Sequence, residues 1–145
     1  MFRTEEAPYS ILNRVVEYDL LPLCQRLGVG VLAFGVLAGG WLSGRYRAGQ
    51  QVTPSGPRSH RPQMDAAAPA NTTKFTAADA LGALADDSGL TLVQLDGSLA
   101  ADGVELSDDV LDRVDAIVAP GVTLDVADTM WVYGTRALEA SQRRR

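Results

Sequence analysis

Apolar residues recur at three- and four-residue spacing in the first part of the chain, which is the spacing of one helical face. Gly28 ends the pattern, and Pro22 lies inside it. Because a proline disrupts a helix interior, either the first turn is irregular or the helix begins near Tyr18. The predicted helix spans 15–27, and its apolar face comprises Val15, Val16, Leu20, Leu23, Cys24 and Leu27.

A nearly continuous apolar run, Val29–Phe34, follows this helix. Such a run is typical of a strand that is covered on both faces, as in a parallel sheet. The order of helix, glycine and buried strand is the αβ half of a βαβ unit, and a short extended stretch around Ala7 precedes it. The pattern therefore predicts an α/β fold.

The second half of the chain predicts two further helices. One spans Thr76–Ser88, with Thr76 as its N-cap and Gly89 directly after its end. The other spans Asp108–Val118, and Ser107 is a suitable N-cap for it. The apolar face of this last helix comprises Val110, Leu111, Val114, Ile117 and Val118.

Between these regions, residues 47–73 contain four of the seven prolines and show no apolar period. We interpret this segment as a flexible, Pro-rich loop within one domain of 145 residues. The single histidine, His60, lies in this loop between two polar residues. A solvated histidine is therefore the favoured interpretation, ahead of a catalytic one.

Composition and charge exclude several classes of function. The net charge is −5, and the only basic run is the terminal Arg143–Arg145, for which a solvated chain end is favoured over a binding patch. The charge pattern therefore argues against a nucleic-acid surface. No window approaches the ~18 continuous apolar residues of a membrane span. The single cysteine, Cys24, lies in the apolar helix face, where a buried thiol is favoured over a nucleophile. Together these features favour a cytoplasmic protein.

A glycine-rich segment follows the apolar strand directly. Four glycines fall within Gly35–Gly44, and Arg45 and Tyr46 come next. The carboxyl end of a parallel strand is where α/β folds bind ligands. We therefore expect the main binding site here.

The motifs of this chain resemble the aldo-keto reductase family in order and spacing. The similar segments are Tyr9–Arg14, Leu21–Cys24, Gly28–Val31, Leu37–Tyr46, Leu106–Asp115 and Pro120–Gly121. The resemblance implies part of a (β/α)8 TIM barrel, its C-terminal portion, with the remaining segments mainly helical. It also implies NADP(H) lying across the carboxyl face and NADP-dependent oxidoreduction of a small carbonyl or alcohol. Ala7–Tyr9 would then be barrel strand six and Val29–Phe34 strand seven.

The resemblance further implies cofactor contacts. Phe34 matches the aromatic that stacks on the nicotinamide, although a core phenylalanine is an equal alternative. Glu6 stands where the family has a glutamine that hydrogen-bonds the nicotinamide carboxamide. An ionised glutamate can only accept a hydrogen bond, so the donor half of that contact is lost. In the loop that would hold the pyrophosphate, Gly35 and Val36 replace a serine and a proline. The alternative interpretation of this loop is a tight turn that carries a surface arginine. The other matching positions are Leu37, Gly39, Leu42, Gly44 and Arg45 in that loop, and Gln94 and Ser98 in the helix that contacts adenine.

The family's catalytic tyrosine and its lysine, aspartate and histidine helpers all precede strand six, so we assign no catalytic residue. A strand and an anion-binding loop for the 2′-phosphate are also missing between Val93 and Gln94. We therefore expect NADP(H) binding to be weak or lost and the chain to be inactive alone. The alternatives are a non-catalytic protein-interaction module, or a decayed fragment that pairs with a missing N-terminal half. The substrate is not readable from the sequence.

Overall fold

The computed structural model describes residues 3–52, 61–95 and 105–124. These residues form two strands and four α-helices, with short 3-10 helices between them. The strands are β1 (Thr4–Pro8) and β2 (Gly30–Phe34). The α-helices are α1 (Leu20–Leu27), α2 (Thr72–Asp87), α3 (Leu92–Leu95) and α4 (Asp108–Ile117). The 3-10 helices are Val15–Glu17, Ala38–Ser43, Pro62–Met64 and Pro69–Asn71.

The two strands pair in parallel, and α1 connects them, so the predicted βαβ order is confirmed. Register runs from Thr4 opposite Gly30 to Pro8 opposite Phe34. Helix α1 begins later than the apolar pattern, and Pro22 falls in its first turn, where no intrahelical N–H bond is needed. Gly28 ends α1 in the left-handed conformation, with φ of 64°.

The prediction that β2 is covered on both faces is wrong for the described residues. Leu32 is 56% exposed, and no residue of β2 is fully buried. Within the described part of the chain the sheet has only these two strands. Much of the surface of the sheet therefore has no neighbouring element. An apolar run indicates that a strand suits a buried environment, but not whether this polypeptide supplies the cover.

The core lies around α2 rather than around the sheet. Leu81 and Ala78 of α2 are fully buried against Trp41 and Leu42 of the glycine-rich segment. Helix α4 packs on the same cluster through Val114. The buried Cys24 lies apart from this cluster, on α1, as the sequence predicts.

The N-cap predicted at Thr76 is wrong, because α2 begins four residues earlier, at Thr72. Asn71 occupies the N-cap position and is itself buried. Its side-chain amide donates to the carbonyl oxygens of Pro62 and Asp65, each at 2.8 Å. These contacts reach back six and nine residues, beyond the spacing of a local capping pattern, and they hold Asn71 directly before the first residue of the helix.

Helix α4 agrees more closely with the sequence. Ser107 is its N-cap, and the Ser107 hydroxyl accepts a hydrogen bond from the Val110 amide at 3.4 Å. Val114 and Val118 are buried as predicted, but Leu111 remains 45% exposed. The apolar face is therefore only partly covered.

The structure describes residues 47–52 and 61–73 of the predicted Pro-rich loop. Met64 is buried near its centre, and Thr72 and Thr73 belong to α2. At its start, the Arg47 guanidinium lies against Gly82 of α2 and pairs with Asp86. A side chain at Gly82 would occupy the space that Arg47 fills. His60 lies outside the described residues.

Candidate functional site

The glycine-rich segment forms a tight loop at the carboxyl end of β2. Gly35, Gly39 and Gly40 have φ of 70°, 69° and 110°, and Gly44 has 83°. These left-handed values favour glycine, which has no Cβ to clash with the backbone. Ala38 adopts φ of 48° without that freedom. The loop therefore depends on its glycines to fold back on itself within ten residues.

Some backbone amides of the loop donate hydrogen bonds to carbonyl oxygens within the loop itself. The amides of Gly40 and Leu42 donate to the carbonyl oxygen of Leu37 at 2.8 and 3.2 Å. Among the described residues, the amides of Val36 and Gly39 have no backbone acceptor. Amide groups in such a left-handed turn form a concave donor surface that suits an anion.

Glu6 and Phe34 lie on the same face of the sheet. In the parallel register Glu6 is opposite Leu32 and Pro8 is opposite Phe34, and paired residues of parallel strands project to one side. Glu6 is exposed and Phe34 is half-buried. The structure thus brings these two predicted site residues to one face, beside the start of the glycine loop.

Arg45 lies across the loop. Its Nε donates to the Ser43 hydroxyl at 3.0 Å, and that hydroxyl donates to the Gly40 carbonyl at 2.6 Å. A Cβ at Gly40 would lie 3.4 Å from an Arg45 guanidinium nitrogen. Arg45 is nevertheless exposed, so its guanidinium is accessible at the loop surface.

Other predicted loop residues have packing roles. Leu42 is fully buried, so its side chain belongs to the core. A Cβ at Gly39 would lie 2.8 Å from the Cε of Met64, so Gly39 also permits a close approach of the two segments. Leu37 is partly buried against the core, and Gly44 ends the 3-10 helix.

An aromatic pair beneath the loop was missed by the sequence reasoning. The rings of Trp41 and Tyr46 stack with centroids 3.9 Å apart. The Trp41 Nε1 donates to the Gln63 carbonyl at 3.0 Å, and the Tyr46 hydroxyl donates to the Met64 carbonyl at 3.3 Å. The spacing of five residues within a glycine-rich loop gave no periodic signal for this contact.

Gln94 forms a capping box with Thr91 at the start of α3. Its Oε1 accepts from the Thr91 amide at 2.9 Å, and its own amide donates to the Thr91 hydroxyl at 3.2 Å. Helix α3 packs on the 3-10 helix of the glycine loop. Ser98 lies outside the described residues.

A polar cluster lies next to the carboxyl end of β1, around the 3-10 helix Val15–Glu17. Glu17 accepts from the Tyr9 hydroxyl at 2.6 Å and from Arg14 at 2.8 Å. Arg14 also pairs with Asp115 of α4 at 2.6 Å. Burial alone raises the pKa of Glu17, but hydrogen bonds from Arg14 and Tyr9 outweigh it and lower that pKa below its ordinary value.

This cluster forms the polar end of a cleft of about 510 Å³ between β2 and α4. Its apolar lining includes Val31 and Ala33 of β2 and Leu111 and Val114 of α4. Val36 of the glycine loop lines this cleft, whereas Glu6, Phe34 and Arg45 do not. The cleft therefore adjoins the predicted site at the loop but does not contain its other residues.

Among the described residues, no group of three or more His, Cys, Asp or Glu side chains is placed to hold a metal ion. In the same ranges, no helix is long and apolar enough to cross a membrane.

The sequence matches the aldo/keto reductase family over residues 2–105. A comparison with curated proteins gave no match. Among solved structures, the chain is similar to the glycerol dehydrogenase AKR11B4 from Gluconobacter oxydans, with 24% sequence identity and a TM-score of 0.61. The similarity covers 80% of this chain and 42% of that one, so this chain spans less than half the length of the enzyme whose fold it shares.

Proposed function

The chain belongs to the aldo/keto reductase family, and we propose that it forms the cofactor-holding part of an NADP(H)-dependent oxidoreductase barrel. In this proposal β1 and β2 are strands six and seven of a (β/α)8 barrel, and the remaining segments are the helices that surround it. The reaction class is reduction of a small carbonyl compound or oxidation of the corresponding alcohol. A cytoplasmic location is part of the same proposal.

The observation that carries this proposal is the shared face of Glu6 and Phe34 beside the glycine loop. A flat aromatic ring supplies stacking area for a nicotinamide at low entropic cost. The Glu6 carboxylate accepts a hydrogen bond from a carboxamide N–H but offers no donor in return. This half-satisfied contact weakens the binding.

The loop supports the pyrophosphate part of the proposed site. Its amides at Val36 and Gly39 are donors without a backbone acceptor in the described ranges, and Arg45 supplies an exposed positive charge. Gly35 and Val36 stand where the family has a serine and a proline, so a hydroxyl donor and a rigid turn are absent. Bound NADPH would supply the hydride for carbonyl reduction, and bound NADP⁺ would accept it in alcohol oxidation, while these residues would bind and orient the cofactor.

We propose that the 145-residue polypeptide does not turn over substrate by itself. A complete barrel takes about 250 residues and closes with eight strands. The described ranges contain two strands, and the chain spans 42% of the similar enzyme. In this proposal none of these residues is the acid that protonates the carbonyl oxygen. Gln94 and Ser98 are assigned to the adenine end of the cofactor.

Fluorescence titration with NADPH tests the binding site. We expect a dissociation constant above about 0.1 mM, which corresponds to roughly −5.5 kcal/mol. The variant Arg45→Gln should weaken binding further, whereas Arg26→Gln, an exposed arginine on α1, should not. If the wild type and Arg45→Gln bind NADPH with equal affinity, the glycine loop is not part of the proposed site. Reduction of an aldehyde by the chain alone would refute the claim that it is inactive alone.

A second candidate function is a protein-interaction module. Leu32 is 56% exposed on the open face of the sheet, and the described strands pair only with each other. Unpaired strand edges are templates for another polypeptide. Size-exclusion chromatography with light scattering distinguishes the two candidates. A monomer that binds NADPH favours the cofactor site, whereas a stable assembly that does not bind NADPH favours the protein-interaction module.

A further inference from the structure

We propose that Lys74 is a positioning residue that holds the glycine loop in place through its charge over the Trp41 ring. The structural part of this proposal, that Lys74 holds the loop in place, is argued only from the contacts that Lys74 makes. Its consequence for NADPH rests on the proposed function.

Lys74 is the only lysine of the chain, and it is 1% exposed. A lysine is almost never buried to this extent unless it interacts with other groups, because removing an ammonium from water is costly. In the first turn of α2, an apolar side chain of similar length would avoid that cost. The charge at this position therefore calls for an explanation.

The Lys74 Nζ lies 5.3 Å from the centroid of the Trp41 ring. An ammonium within about 6 Å of an indole face is attracted by the ring's negative face, and the attraction grows when water is excluded. Trp41 is fully buried and also stacks on Tyr46. Burial raises the pKa of the Tyr46 hydroxyl, and the positive charges of Arg45 and Lys74 oppose that rise.

Trp41 lies in the middle of the glycine loop, three residues after its only left-handed alanine, Ala38. Its backbone belongs to the 3-10 helix, and its indole is fully buried, as is the side chain of Leu42. The Trp41 Nε1 is already bound to the Gln63 carbonyl. Lys74 therefore adds a charged contact to the apolar packing of this indole on α2, and the orientation of the loop amides depends on where the indole lies.

The substitution Lys74→Met separates positioning from simple packing. Methionine fills a similar space without a charge and adapts to irregular cores. Removing one partner of a buried charge usually lowers stability, so a purely structural lysine predicts faster exchange in every segment that packs on α2. A positioning lysine predicts a looser glycine loop while α4 is unaffected. Lys74→Arg keeps the charge and is the rescue variant.

Hydrogen exchange of the whole 145-residue chain tests the structural part of the proposal. We expect amides in 35–45 to exchange about tenfold faster in Lys74→Met than in the wild type, and those of 108–117 in α4 to be unchanged. Lys74→Arg should restore much of the protection. Unchanged exchange in 35–45, or an equal increase in both segments, would overturn the proposal.

The consequence for the cofactor is measured in a Trp131→Phe background, where Trp41 is the one remaining tryptophan. We expect acrylamide to quench Trp41 more in Lys74→Met, and NADPH affinity to fall about tenfold, or 1.4 kcal/mol. If the wild type does not bind NADPH, the proposed function fails while exchange and quenching still decide the role of Lys74. If it binds and Lys74→Met binds equally well, the positioning role is refuted.

Discussion

At the residue scale, Arg14 links parts of the chain that are a hundred residues apart. Its guanidinium bonds to Glu17 in the segment after β1 and to Asp115 and the Val118 carbonyl in and after α4. The Gly121 amide completes the cluster by donating to Glu17 at 3.1 Å. The Arg14 side chain is only 13% exposed, so these bonds are poorly replaced by water.

We expect Arg14→Met to lower the free energy of unfolding by about 2–3 kcal/mol, because the carboxylates of Glu17 and Asp115 lose their cationic partner. Arg113→Met is the matched control, since the Arg113–Asp87 pair joins side chains that are 45% and 69% exposed. Its cost should be below about 1 kcal/mol. Urea denaturation of both variants measures the difference, and equal midpoints would contradict the role given to Arg14.

The Glu17 carboxylate predicts a pH dependence. Its pKa in the folded chain lies below the ordinary value of 4.5, so folding favours the ionised form. That contribution to stability is present above pH 4.5 and is lost as the pH falls through the lower, folded value. Urea midpoints measured from pH 6 down should therefore fall more steeply in the wild type than in Glu17→Gln. Parallel curves for the two proteins would show that another group controls the acid transition.

At the scale of elements, the starts of α2 and α4 depend on contacts between residues at different separations along the sequence. The start of α4 is readable in the sequence, because the Ser107 hydroxyl caps the amide three residues later. The start of α2 is not, because Asn71 is held by carbonyl oxygens of Pro62 and Asp65. Thr76 resembles a cap in sequence but lies in the second turn of a continuous helix.

Alanine substitutions distinguish these two positions. Ser107→Ala should lower the free energy of unfolding by about 1 kcal/mol, since one α4 amide loses its acceptor. Thr76→Ala should be neutral or slightly stabilising, because Thr76 is exposed and alanine has the higher helix propensity. Thermal unfolding followed by circular dichroism measures both. A loss at position 76 as large as that at 107 would mean that α2 begins where the sequence pattern suggested.

At the scale of the whole molecule, the sheet and the core are separated. The buried cluster is centred on α2 and the glycine loop, while β1 and β2 form a two-stranded parallel sheet with an exposed face. Parallel sheets are usually covered on both faces. In the described ranges, Leu32 is the most exposed large apolar residue of this sheet.

We expect Leu32→Lys to reduce self-association, measured by light scattering as a function of concentration. A lysine on a strand disfavours pairing with another chain. The same substitution lowers the magnitude of the net charge of −5, which by itself favours association. Leu23→Lys, on exposed α1, is the control for charge. An equal reduction in both variants would show a general solubility effect rather than one of the sheet.

The sequence by itself determined the βαβ order, the glycine loop at the end of the second strand, the cap of α4 and membership of the aldo/keto reductase family. These features depend on residues close together in the chain, where spacing decides which side chains share a face and which turns need glycine. Only the tertiary structure decided that β2 is open, that α2 begins at Thr72, and that Trp41, Tyr46 and Lys74 meet beneath the loop. Those outcomes depend on how separate segments pack together, and no local pattern specifies what will pack against a given face.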